Sequence, residues 1–101
     1  MNKSKKIELA SLLLSDDKEI RILAINYIKS KYKNNFALRC SWDFDINDSY
    51  KVVSIGAVCE SYENVLTLLF WIKENPEDFT TQAILDLINL IIENNEIKKE
   101  S

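Results

Sequence analysis

The chain has 101 residues, 47% hydrophobic and 29% charged, with a formal net charge of −3, which are the proportions of one globular domain able to bury a modest core. A single Gly and a single Pro argue against a loop-rich or phosphate-cradling architecture, and the absence of His removes the commonest general base and transition-metal ligand. No apolar run approaches the ~20 residues of a membrane-spanning helix, and the basic start Met1–Lys6 leads into too short an apolar segment, Leu9–Leu14, for a secretion signal.

Charge is unevenly spread. Residues 1–39 hold nine Lys/Arg against four Asp/Glu, and residues 40–101 hold four against twelve. Such polarity can steer a partner to one face or favour contact between copies. Cys40 and Cys59 fit neither a disulfide framework nor a C-x-x-C site, so two buried free thiols are expected, and the missing secretion-signal pattern sets the expectation of a cytoplasmic location. Lysine outnumbers arginine eleven to two, and Ile and Asn are abundant, a bias of AT-rich coding sequence such as that of low-GC bacteria and their phages.

In chain order, Lys5–Leu14 has the apolar density of a short helix. Ser15-Asp16-Asp17 then supplies N-cap candidates for a second helix, in which Ile20, Leu23, Ala24, Tyr27 and Ile28 recur at 3–4 spacing and form the stripe expected to face inward. Acids at its start and Lys29, Lys31 and Lys33 at its end suit the helix dipole, and Lys33-Asn34-Asn35 is expected to end it. The stretch Asp16-Asp17-Lys18-Glu19-Ile20-Arg21-Ile22-Leu23-Ala24 resembles the second helix of a HEAT-type repeat. One unit without a following repeat implies a helical hairpin and no solenoid, and no function comes with it.

From Phe36 to Ile46 the period changes to two: Phe36, Leu38, Cys40, Trp42, Phe44 and Ile46 alternate with other residues, as in a half-buried strand. A second run, Ser49–Cys59, is rich in β-branched residues. A two-residue Asn47-Asp48 turn would pair Ile46 with Ser49, Phe44 with Lys51, Trp42 with Val53, Cys40 with Ile55, Leu38 with Ala57 and Phe36 with Cys59. Four of these six pairs are apolar on both sides. The alternative makes 49–74 helical and the domain an all-α helical bundle; Val52, Val53, Ile55, Gly56 and Val58 argue against it on propensity. Ser61–Glu74 reads as a helix with Val65, Leu68, Leu69 and Ile72 in its core stripe, closed by Asn75-Pro76. A last helix runs from about Thr80 to Ile97, with Ile84, Leu85, Ile88, Ile91 and Ile92 inward and Gln82, Asp86, Asn89, Glu93 and Glu96 in a polar stripe. The expected fold is a single α+β domain over 1–101, a helical hairpin, a central β-hairpin and two C-terminal helices, with short flexible ends at about 1–4 and 98–101.

Few residues carry chemistry. Asp43-x-Asp45-x-Asn47 has the first three ligand positions of a calcium loop, but Asp48 stands where Gly is needed and Ser54 where a bidentate Glu is needed. Asp43, Asp45 and Asn47 are therefore weak metal candidates, read first as the outward face of a strand, and no cofactor is expected. Lys29, Lys31 and Lys33 are weak nucleic-acid candidates, disfavoured by the acidic balance and the shortage of Arg. Phe70 and Trp71 are the protein-interaction candidates, because they extend the apolar surface of their helix beyond its core stripe and Trp is enriched at interface hot spots. The expectation is a non-catalytic protein–protein interaction module, a small subunit, adaptor or inhibitor of phage or mobile-element type, binding another protein or itself, with no membrane partner. The alternative is a nucleic-acid-associated accessory protein using the N-terminal lysines.

Overall fold

The fold is described from a computed structural model, which covers residues 2–32, 41–59 and 62–100, and the side chains of 2–32, 44–56 and 67–92. Among these residues, four helices and one two-stranded antiparallel sheet follow in the order α1 (Lys3–Leu13), α2 (Lys18–Lys31), β1 (Ser41–Ile46), β2 (Val52–Cys59), α3 (Tyr62–Glu74) and α4 (Thr81–Glu100), with a 3-10 turn (Pro76–Asp78) between α3 and α4. This is the expected α+β domain; the all-α alternative fails at β2. No helix among the described residues is long and apolar enough to cross a membrane.

Side-chain caps set several helix boundaries. Asn2 Oδ1 accepts the Lys5 N–H at 2.9 Å, so α1 begins at Lys3, two residues before the expected start. Asp17 Oδ1 accepts the Glu19 N–H at 2.9 Å and starts α2. Thr80 Oγ1 accepts the Ala83 N–H at 3.2 Å and starts α4. The α2 helix ends at Lys31, and Tyr32 turns into the core; Lys33, Asn34 and Asn35 lie outside the described residues, as do Phe36, Leu38 and Cys40 of the expected strand.

The hairpin departs from the expected register. Phe44 pairs with Ile55, Asp45 with Ser54, Asp43 with Gly56 and Trp42 with Ala57, a slide of four residues along β2 that keeps Phe44 and Ile55 on the apolar face and Asp45 and Ser54 on the polar one. Ser41 pairs with Cys59 and Ile46 with Val52, so Val58 and Val53 are extra residues on β2, each a bulge. The cause is the turn. Asn47 Oδ1 accepts the N–H groups of both Ser49 (2.9 Å) and Lys51 (3.0 Å), and the Asn47 N–H donates to the Lys51 carbonyl at 2.9 Å, closing a five-residue loop. Tyr50 completes it at φ 62°, in the left-handed region. The longer loop takes Ser49 and Lys51, the two polar mismatches of the expected pairing, out of the ladder, and gives Phe44 the apolar partner Ile55.

The core lies between the helices and the inner face of β2. Leu13, Ile28, Leu69, Ile72, Ile84 and Leu87 are fully buried, and Val52 and Ile55 join them from the sheet. On α4, Leu87 takes the fully buried place expected of Leu85, which is only partly buried. The inward stripe of α2 is also rotated from expectation: Arg21, Ala24, Ile25 and Ile28 are buried, while Ile20, Leu23 and Tyr27 stay at the surface. The helix has apolar residues over more than half its circumference, and only the sides facing α1, α3 and the core are covered.

Two polar anchors lock these layers. Arg21, only 6% exposed, donates from Nε to the Lys73 carbonyl in the last turn of α3 (3.0 Å) and from Nη1 to the Ser15 carbonyl (2.7 Å). Its charge sits where the α3 dipole is negative. Asp86 of α4 accepts the Ile55 N–H at 3.1 Å and the Gln82 side-chain amide at 2.9 Å. The outer edge of β2 is further occupied where the Thr80 N–H (3.0 Å) and hydroxyl (3.1 Å) both donate to the Val52 carbonyl.

Candidate interaction surface

The neighbouring candidates Phe70 and Trp71 point different ways. Trp71 is partly buried: its Nε1–H donates to Asp78 Oδ2 at 2.8 Å, and its ring meets Phe79 (4.6 Å between centroids) and Phe44 of β1 (5.7 Å) edge to face. Its own chain thus supplies its neighbours, tying α3, the 3-10 turn and the hairpin together. Phe70 is 60% exposed, with the Lys73 ammonium 4.7 Å from its ring centroid.

The larger apolar surface lies at the other end of the sequence. The helices α1 and α2 form a hairpin with an open groove of about 490 Å³ between them, lined by Leu9 and Leu12 of α1 and by Ile20, Leu23, Ala24 and Tyr27 of α2, with Lys5 and Glu8 at its margin. Leu23 is 68% exposed, Tyr27 46%, Leu12 40% and Ile20 36%. Leaving four large apolar side chains of one groove in water forgoes the burial that would normally hold them. The groove is also electrically polar along its length. Lys29 and Lys31 mark one end, Lys5 and Tyr27 both line the groove, and Asp16, Asp17 and Glu19 mark the other end, at the turn of the hairpin. Lys31 donates to the Tyr27 hydroxyl at 3.0 Å and lies over the Tyr27 and Tyr32 rings at 5.4 and 5.7 Å. The Tyr27 hydrogen bond raises the Lys31 pKa from its ordinary value, with Tyr32 adding to the effect. The remaining lysine candidate, Lys33, lies outside the described residues.

The groove was hidden in the sequence by its own apolarity. Ile20, Leu23 and Tyr27 repeat at helical spacing beside Ala24 and Ile28, so one broad stripe reads as core throughout; the polarity of its ends, acids before Ile20 and lysines after Tyr27, was the available signal.

The carboxylates of the hairpin are spread out. Asp45 Oδ2 accepts the Ser54 hydroxyl at 2.8 Å, Asn47 Oδ1 is taken by the two turn amides, and the Asp43 side chain lies outside the described residues. Asp45, Ser54, Gly56 and Asp86 border an open concavity of about 480 Å³, in which each carboxylate already accepts from neutral donors. Among the described residues no group of three or more Cys, Asp or Glu is placed to hold a metal ion. No known protein family, curated protein or solved structure matches this chain.

Proposed function

We propose that the chain is a non-catalytic, cytoplasmic protein–protein interaction module, a small subunit, adaptor or inhibitor that works by docking. The observation that carries this reading is the groove between α1 and α2, where Leu12, Ile20, Leu23 and Tyr27 are held at the surface by a helical hairpin whose other side is packed. An apolar groove with charged ends is a surface that can accept a helix by its apolar face. The lack of His in the sequence, with Asp45 and Asp86 turned to neutral donors, gives chemistry little to work with.

The test is capture by tagged wild-type and Leu23→Glu protein in the native source, with and without nuclease. A protein retained by the wild type, indifferent to nuclease and lost with Leu23→Glu, supports docking; retention abolished by nuclease contradicts it. The second reading, a nucleic-acid accessory protein, draws on the cluster of Lys5, Lys29 and Lys31 with Tyr27 and Tyr32 at one end of the hairpin. Against it, Arg21 is buried on backbone carbonyls and is withdrawn from phosphate contact. A salt-sensitive shift of DNA or RNA at low protein concentration would favour it over docking.

A further inference from the structure

We infer that the occupant of the α1–α2 groove is the same groove of a second copy, docked about a two-fold axis that passes beside Leu23. This rests on the docking reading above and adds the partner and its orientation. A two-fold contact must be self-complementary: what one copy presents on one side of the axis, it must accept on the other. The exposed face of α2 meets that condition in both apolar shape and charge. Taking Leu23 as the centre, Ile20 lies ~4.5 Å along the helix on one side and Tyr27 ~6 Å on the other, at 1.5 Å per residue. Turning one helix end for end sets Ile20 against the other copy's Tyr27, and Leu23, the most exposed leucine among the described residues, against its own counterpart.

Charge follows the same rule. Asp16 precedes Leu23 by seven residues and Lys31 follows it by eight, so the two-fold brings each acidic hairpin turn onto the other copy's basic end, twice per dimer. The helix dipoles run antiparallel in the same arrangement. A parallel docking would instead set lysines on lysines. Two helices of 14 and 11 residues present a face of roughly 400 Å² per copy at helical dimensions. That is about half of what a standard stable complex buries, so the dimer is weak and concentration-dependent.

The experiment uses sedimentation equilibrium on the whole chain at low salt, up to about 1 mM, the concentration scale of weak association. Wild type is expected to dimerise. Leu23→Glu, which sets two carboxylates against each other at the axis, is expected to be monomeric with unchanged helical circular dichroism. Asp16→Lys and Lys31→Glu are each expected to weaken self-association by ~tenfold, since every reversal acts twice. An equimolar mixture of these two variants is expected to recover wild-type affinity, because each then meets its complement at both ends. Failure of the mixture to recover, or a dimer that Leu23→Glu leaves intact, overturns the two-fold assignment. A wild type that stays monomeric also overturns it. In that case the docking reading survives if Leu23→Glu still abolishes capture of a different protein, and falls with the assignment if it does not.

Discussion

Replacing Trp71 with alanine separates an internal role for this residue from a role at an external surface, and the adjacent Phe70 is the built-in control. Trp71→Ala removes two edge-to-face ring pairs, with Phe79 at 4.6 Å and Phe44 at 5.7 Å, and the indole hydrogen bond to Asp78 at 2.8 Å. Full burial would place the loss at about 3–5 kcal/mol; because the ring is only partly buried, the low end, ~3 kcal/mol, applies. For a domain of this size that lowers the melting temperature by roughly 12–24 °C. Trp71→Phe keeps much of the ring packing and loses the hydrogen bond, for ~1 kcal/mol. Phe70→Ala, on a side chain 60% exposed, changes stability by about 0.5 kcal/mol, mostly through the Lys73 contact. Thermal and urea unfolding followed by circular dichroism measures all three. If Trp71→Ala unfolds no more readily than Phe70→Ala, the aromatic junction between α3, the turn and the hairpin is not holding them together.

Arg21→Met leaves the Lys73 and Ser15 carbonyls without their donor and is expected to cost ~2–4 kcal/mol in urea unfolding, with Arg21→Lys intermediate; equal stability of all three would show that the anchor is dispensable. Asp86→Ala is expected to speed hydrogen exchange at the Ile55 amide and to cost about 1–2 kcal/mol, whereas Asp86→Asn keeps an acceptor; unchanged exchange at Ile55 would contradict the α4–β2 bond. The Glu74 carboxyl is held below its ordinary pKa of 4.5, first by the hydrogen bond from Lys18 (3.1 Å). Its folded pKa being depressed, the stability it adds is present above 4.5 and is lost as pH falls through the lower folded value. A carboxyl NMR titration should show this depression shrink in Lys18→Ala, with Lys73 at 3.7 Å holding what remains; a depression unchanged by the substitution would assign it elsewhere.

The sequence carries the element order because each segment shows a single period and most ends are punctuated locally: Asp17 caps α2, Pro76 follows α3, and the β-branched run at 52–59 refuses a helix. The hairpin register was not legible, because it depends on which amides the Asn47 side chain chooses and on the α4 and Thr80 groups that meet β2 from 28 to 31 residues away. Asp86 reads as solvent-facing by helical spacing, yet it is half-buried and serves an edge strand, since a polar group can leave water once a donor is supplied. Arg21 follows the same logic on α2. The groove escaped for the opposite reason: hydrophobic periodicity reports that a face is apolar and does not report whether anything in the chain covers it.

The most direct test of the account is a concentration series of amide NMR spectra on the whole chain, which reports where copies or partners touch. Shifts that grow with concentration and cluster at Leu12, Ile20, Leu23 and Tyr27, vanishing in Leu23→Glu, are the predicted result. Shifts centred on Phe70 or along β1, with the α1–α2 groove unmoved, would contradict it.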